Sequence, residues 1–560
     1  MRHRYRIMIQ QNFIKLYEEK YKEYWVLPAF SNYEEGVTYS FAQVAQWVAR
    51  VHLILEHNEI KRGDKVALIG KDCAEWCMTW MGIVTYGAVV VPILPEFHQD
   101  DILHIIAHSD SQLLFVGKEH ERLLSLETLP EVRGAFRIKD LQTIAELSHT
   151  ELAKSTDVAS LFSAKYPDGF TREDVKYPEI GNDEMVLISY TSGTSGFSKG
   201  VMATANNLIA NVQFGQDAKL QFRGDDLLCF LPNAHAYSCA FNFLLPQAQG
   251  THVYILGSKP TPRILLKALQ DIRPKLVISV PLILEKIYKN VLAKKLKDKW
   301  LSLALKLPIV KGVVHKKIRK TLIDTFGGNV NEVIIGGAAL NPEVEAFLMK
   351  IGFPITVGYG MTECSPIISY TGNRQFLHHS AGRILHKIEE VRIDGAQSIE
   401  GKMVGEVQVR GENVCLGYYK NPQATADLFT EDGWMRTGDL GYIEQDTIFL
   451  RGRSKAMLLG SNGQNIYPEE IEAKLAMLPY VNDAILVQRD KRLVALLSVD
   501  RAALEKDGHA TEEAIKAILD DQRKQVNTQI ASYAQIAAME MIDGEFEKTP
   551  KQSIKRYLYH

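Results

Sequence analysis

The sequence predicts an α/β protein: a large N-terminal domain of layered α/β subdomains, a small β-rich subdomain, and a small α+β domain at the C-terminal end. Three observations carry this expectation. Short Val- and Ile-rich runs alternate with segments of helical period, the pattern of largely parallel sheets covered by helices. After about residue 383 the texture changes to short strands joined by turns. A last unit with its own strands and helices begins near residue 455. At roughly 150 residues per domain, a chain of 560 residues has room for about three or four such units.

Along the chain, strands are expected at 65–69, 113–116, 185–190, 227–231, 252–256, 276–280 and 332–335. Helical patterns lie between them, at 41–57, 100–109, 204–213, 262–271 and 342–350. The most apolar stretch, 78–94, is interrupted by Gly87 and Pro92. It reads as a buried helix followed by a buried strand rather than a membrane span. The β-rich subdomain, about 383–454, shows strand patterns at 391–393, 405–410 and 447–451. It closes a large domain of residues 1–454. The small domain, 455–560, adds a helix at 468–478, strands at 483–487 and 493–499, and a helix at 511–532.

Composition bounds the function classes. Lys plus Arg is 65 against 67 for Asp plus Glu, a formal net charge of −2, which offers no bulk attraction for nucleic acid. The six cysteines are scattered without a CxxC pair, so reduced thiols in a cytoplasmic protein are expected. The N-terminus MRHRYRIMIQQNF carries basic residues but no apolar core of a signal peptide. One segment is strongly basic: 289–320 holds eleven Lys or Arg and a single acid, Asp298, among apolar residues. It reads either as a solvated basic face over a core face, or as an amphipathic element making weak peripheral contact with the anionic inner face of a membrane.

The chemistry-bearing signal is the run Tyr190-Thr-Ser-Gly-Thr-Ser-Gly-Phe-Ser-Lys-Gly200, after one strand and before the helical pattern at Thr204. Gly193 and Gly196 let backbone N–H groups turn toward one anion. Thr191, Ser192, Thr194 and Ser195 add hydroxyl donors, and Lys199 adds charge. The composition is that of a phosphate cradle. It lacks the GxxxxGK[ST] of a Walker A loop and the spacing of a dinucleotide fingerprint.

This loop resembles the phosphate-binding signature of the adenylate-forming superfamily, and other segments agree in order. Leu231-Pro-Asn-Ala-His-Ala-Tyr237 is similar to its acyl-site segment. Ile335-Gly-Gly-Ala-Ala-Leu340 is similar to its adenine-contacting turn, with Gly336, Gly337 and Ala338. Gly358-Tyr-Gly-Met-Thr-Glu363 resembles its YGxTE signature, contributing Gly358, Tyr359, Gly360, Met361 and Thr362. Gly433-Trp-Met-Arg-Thr-Gly-Asp-Leu440 resembles the ribose-binding segment. Arg451-Gly-Arg-Ser-Lys455, with Arg453, and Asn465–Glu472 resemble the hinge and the start of the small domain. Within the superfamily, 285–288 and 416–422 look most like fatty acyl-CoA ligases.

The resemblance implies a two-step reaction. A fatty acid or other carboxylic acid attacks Mg²⁺-bound ATP to give an acyl-adenylate. The small domain, mobile about Lys455, then rotates and admits coenzyme A. An acyl carrier protein is the alternative acceptor. No carrier attachment site follows the last motif, so such a carrier would be a separate protein. Glu363 is the expected Mg²⁺ carboxylate with Thr191 a hydroxyl contact, since Mg²⁺ takes oxygen ligands and phosphates. Tyr359 is expected to stack on adenine, Asp439 to accept the ribose hydroxyls, and His235 to orient the acyl carboxylate.

Two positions depart from the family pattern. The lysine that relatives place near the C-terminus falls here on Ser553, with Lys551 and Lys555 two residues to either side. The second hinge lysine of relatives is Leu459. The first departure leaves a third reading open, a nucleotide- and acyl-binding protein with weakened catalysis. His378-His379 falls in an expected loop and matches none of these motifs.

Overall fold

The structure, a computed structural model, describes residues 9–191, 198–289, 308–459, 465–489, 492–549 and 553–559. Its first large sheet has seven strands, in the order Gly417–Tyr418, Lys199–Thr204, Met185–Thr191, Val89–Ile93, Lys65–Ile69, Ser111–Val116 and Gly134–Arg137. The five from Met185–Thr191 to Gly134–Arg137 are parallel neighbours. The helix Ala74–Tyr86 that connects two of them is buried along nearly its whole length and stops at Gly87, whose φ of 99° suits glycine alone. The helix Phe41–His57 is launched by a reciprocal capping pair, Ser40 with Gln43, and buries Val44, Val48, Val51 and Leu55 at helical spacing.

Two further sheets complete the α/β layers: Val37–Ser40, Pro28–Asn32, His252–Ile255 and Asp226–Cys229, and the parallel Leu276–Ser279, Glu332–Ile335 and Ile355–Val357. One continuous apolar core runs through all three. A second seven-stranded sheet, antiparallel in every pairing, runs from Tyr359–Gly360 and Ile367–Tyr370 through Gly382–Ile384, Thr447–Arg453, Met435–Glu444 and Lys402–Gly411 to Glu389–Ile399. It recruits two strands from before the change of texture, so the YGxTE-like segment forms its first edge. The C-terminal residues build a separate core from the helices Pro468–Leu475 and Glu512–Asn527 and the strands Val481–Arg489, Arg492–Val499 and Ile536–Met541.

The element placements agree closely with the periodicity, with one instructive difference. The phosphate-type loop does not run from strand to helix. It is the tip of a β-hairpin, because Lys199–Thr204 pairs antiparallel with Met185–Thr191 from Met185↔Thr204 to Thr191↔Lys199. The run KGVMAT is short and holds a glycine, and it extends the sheet before Thr204 caps the helix Ala205–Asp217. The final long helix also ends at Asn527, five residues before its expected end.

All six cysteines are free and five are buried. No helix among the described residues is long and apolar enough to cross a membrane. Of the basic segment, 290–307 lies outside the described residues. Lys289 precedes the gap, and its ammonium donates to the Ala476 and Val481 carbonyls; residues from Pro308 on lie in the helix Pro308–Thr325. Lys316, Lys317, Arg319 and Lys320 are exposed, while Leu322 and, just beyond the helix, Phe326 are buried.

Candidate functional site

Residues 192–197, which hold Ser192, Gly193, Thr194, Ser195 and Gly196, lie outside the described residues, but the base of their loop is well defined. Thr191 and Lys199 are cross-strand partners, and the Thr191 hydroxyl donates to the Lys199 carbonyl at 3.4 Å. The Lys199 ammonium lies 4.9 Å from the ring centre of Tyr418, whose strand pairs with Lys199–Thr204. The Tyr418 hydroxyl donates to Glu363 Oε1 at 2.8 Å. A single side chain therefore joins the lysine of the cradle to the carboxylate of the YGxTE-like segment. Burial and the Glu363 carboxylate together push the Tyr418 phenol up, so it stays a donor.

Glu363 sits in the tight turn Thr362–Cys364 and is 8% exposed. Its Oε2 has no hydrogen bond among the described residues, which leaves a carboxylate oxygen for a hard cation. The turn is held from behind. Asn211 donates to the Cys364 carbonyl at 3.2 Å and accepts the Ile367 N–H at 2.9 Å. Asn413 donates to the Ile367 carbonyl and to the fully buried Glu389, whose carboxyl burial pushes well above the usual range. Gly360 is required here, because a Cβ would stand 2.2 Å from the Pro366 carbonyl oxygen. Met361 and Thr362 complete the approach to the turn, and Gly358 precedes the strand, its N–H donating to Ile335.

Tyr359 and Asp439 also meet. The Tyr359 hydroxyl donates to Asp439 Oδ2 at 2.7 Å, and Arg453 Nε lies 3.3 Å from Oδ1. Burial raises the Asp439 carboxyl while Arg453 and Tyr359 oppose that shift. Arg453 is largely exposed, and Lys455 follows it in an exposed turn. Gly336 ends the strand Glu332–Ile335, and a Cβ there would stand 2.8 Å from the Tyr237 ring, whose hydroxyl donates to Ile334. Gly337 and Ala338 are exposed beyond it.

His235 is half-buried and precedes the short helix Ala236–Ser238. A small apolar cleft runs between this segment, the hairpin base and the Glu363 turn, lined by Leu187, Ala203, Ala236, Cys239, Ala240 and Thr362. Two of the sequence motifs, through Ala236 and Thr362, thus contribute to one small cleft beside the strands that flank the loop. Asp72, which sequence reasoning missed, accepts the Asn233 N–H at 3.1 Å beneath the same segment. Burial and the nearby Glu96 raise its carboxyl to about 7. The native state then holds a proton that the unfolded chain has already released, so stability falls as pH rises from about 4 to about 7. Asp72→Asn should flatten that slope in denaturation curves taken across this range, and an unchanged slope would refute the assignment.

At the C-terminus, Lys555 Nζ is 3.3 Å from Glu547, and Ser553 lies on the return arm of a small hairpin, Lys548 bridging Ile554. Lys551 lies outside the described residues.

Solved structures share this architecture. The anthranilate CoA ligase AuaEII in complex with anthranoyl-AMP superposes with a TM-score of 0.76, covering 98% of this chain and 96% of that one at 19% identity. The fold is that of adenylate-forming enzymes. The AMP-binding enzyme family matches residues 18–419, and its C-terminal domain matches residues 455–559, so the chain belongs to the AMP-binding enzyme family. Among curated relatives, the long-chain-fatty-acid–CoA ligase FadD15 of Mycobacterium bovis (strain ATCC BAA-935 / AF2122/97) is 26% identical, covering 92% of this chain and 89% of its own length. The chloroplastic long-chain-fatty-acid–[acyl-carrier-protein] ligase AEE15 of Arabidopsis thaliana is 25% identical, over 89% of this chain and 78% of its own.

Proposed function

We propose that this adenylate-forming enzyme is an ATP-dependent fatty acid–CoA ligase. The observation that supports the reading is the linkage at the base of the Gly/Ser/Thr loop: Lys199 lies against Tyr418, whose hydroxyl holds the Glu363 carboxylate, in a chain whose relatives include long-chain-fatty-acid–CoA ligases. The fatty acid oxygen attacks the α-phosphorus of ATP, a P–O bond forms, and the bond to pyrophosphate breaks. The thiol of coenzyme A then attacks the acyl carbonyl. A C–S bond forms, AMP leaves, and the thiol proton passes to solvent.

Mg²⁺ fits the second Glu363 oxygen, with the Thr191 hydroxyl on the loop base as the other contact, and would neutralise phosphate charge there. Lys199 and the loop donors position the phosphates, Tyr418 orients Glu363, and Asp439 accepts the ribose hydroxyls. Since two anions must meet, positioning and charge neutralisation supply most of the rate.

A carboxylate panel scored for pyrophosphate release with and without coenzyme A, and for thioester, tests this. Both products support the ligase. Pyrophosphate with little CoA thioester supports transfer to a separate acyl carrier protein, the reading that the similarity to AEE15 favours. Neither product supports a binding protein weakened by Ser553.

Two further expectations belong here. Lys455 lies in the turn 454–456, and its N–H makes no hydrogen bond among the described residues, so proline there removes no ladder bond. Lys455→Pro should therefore impair thioester formation more than adenylation, by fixing φ at the pivot. Single-turnover assays of each half-reaction decide it, and equal loss in both counts against the pivot. We also place the enzyme in the cytoplasm, with the basic segment 289–320 giving weak, salt-sensitive binding to anionic vesicles. Each basic residue near such a surface contributes about 1 kcal/mol within a Debye length. Vesicle flotation at low and high salt measures this, and no binding at low salt returns the segment to a solvated face.

A further inference from the structure

The paired histidines take no part in the chemistry above. They lie in the loop that joins the strands Ile367–Tyr370 and Gly382–Ile384, and this loop folds back on the helix Pro342–Lys350. Glu345 projects from that helix and is only 4% exposed. His378 Nδ1 stands 2.6 Å from Glu345 Oε1, and the same oxygen accepts the His379 N–H at 2.6 Å. The two imidazoles are 3.8 Å apart, inclined at 39°. One ligand atom from each of the three side chains lies within 4.8 Å of the other two. Adjacent side chains in extended backbone point to opposite faces. His379 has a φ of 62°, which breaks that alternation and brings both rings to the carboxylate.

We propose that Glu345, His378 and His379 form a binding site for a divalent transition metal of the zinc class, separate from the Mg²⁺ site assigned to Glu363. Two imidazole nitrogens and one carboxylate oxygen are a donor set for such metals, whereas Mg²⁺ and Ca²⁺ select oxygen alone. Three protein ligands leave a fourth position for water. Bonds of about 2.0–2.2 Å place tetrahedral ligands about 3.3–3.6 Å apart, so the cluster needs an opening of the His378–Glu345 contact of about 1 Å or less. The metal takes the place of the proton that those two groups share, and binding therefore weakens as pH falls.

Glu345 is buried, and a dication offsets the cost of ionising its carboxyl there. Arg451 is the cation that faces His379, and its guanidinium is already engaged by Glu400 and by Glu470 of the small domain. The site would clip the helix Pro342–Lys350 to the antiparallel sheet whose edge carries Glu363.

The test uses the metal-stripped full-length chain with excess Mg²⁺ present, so that oxygen sites are filled. Zinc titration against a chromophoric competitor, with a parallel Co²⁺ spectrum, reads affinity and donor set. Wild type should bind one zinc, give a tetrahedral nitrogen–oxygen Co²⁺ spectrum and gain thermal stability from the metal. His378→Asn and His379→Asn should each weaken zinc binding by at least about tenfold and abolish the stability gain. His379→Asn keeps the backbone N–H that bonds Glu345, and asparagine tolerates positive φ, so the fold should survive. Near-unchanged zinc affinity in both variants, or no zinc bound by wild type on titration, overturns the proposal.

Discussion

Glu363→Gln is expected to abolish adenylation while leaving the fold intact. The amide keeps the size of the side chain and can still accept the Tyr418 hydroxyl at the position of Oε1, so the contact at 2.8 Å survives. What it loses is the negative charge and the second oxygen, which has no partner among the described residues and is the one available to Mg²⁺. Without it, phosphate charge is less neutralised as the carboxylate attacks, and the transition state loses more than the ground state. A fall in pyrophosphate exchange of at least roughly a hundredfold, about 2.7 kcal/mol of barrier, is expected. Thermal denaturation should be near wild type, because Asn211 and Asn413 hold the turn through backbone groups. Near wild-type exchange at ordinary Mg²⁺ would remove Glu363 from the metal site. Tyr418→Phe is the companion variant: it keeps the ring under Lys199, frees the carboxylate to rotate, and should give a smaller loss.

Lys551→Ala is expected to lower pyrophosphate release by at least roughly tenfold, about 1.4 kcal/mol, while preformed acyl-adenylate is still converted to thioester. The reason is the charge that builds on the α-phosphate as pyrophosphate leaves, which Ser553 cannot neutralise. Thr549 N–H bonds the Ser553 carbonyl at 2.8 Å, so the chain doubles back between them. Lys555 lies on the return arm, with its ammonium beside Glu547 and its N–H on the Glu547 carbonyl. That pairing makes Lys555 the weaker candidate, and Lys555→Ala the control with a smaller effect. Normal adenylation by both single variants and by the double variant would show that no tail lysine acts. A rise in a very low wild-type rate on Ser553→Lys would favour the weakened-catalyst reading.

Much of the fold was legible in the chain. Strands such as Lys65–Ile69 and Glu332–Ile335, and helices such as Phe41–His57 and Pro342–Lys350, fall where period and caps place them. Short-range signals suffice there, because apolar spacing, Ser40 or Thr204 at an N-cap and Gly87 at a helix end act within a few residues. The hairpin at Lys199–Thr204 was not legible, since whether a short run joins a sheet depends on the strand offered beside it.

The sequence by itself determined the order of the motifs and the kinds of group they bring: hydroxyls and glycines in a loop, one lysine, one signature glutamate, one aspartate between Gly438 and Leu440. Those are properties of residue type and spacing, and they survive without coordinates. Only the tertiary structure decided that Tyr418 connects Lys199 to Glu363, that Tyr359 meets Asp439, and that Asn211 and Asn413 brace the turn between them. It alone revealed Asp72 as a carboxyl raised to about 7, and the convergence of His378 and His379 on Glu345. These depend on side chains distant in the chain sharing a few ångströms of space, and on burial withdrawing water from a charge. Neither is encoded in local spacing, because both arise only when separate elements pack.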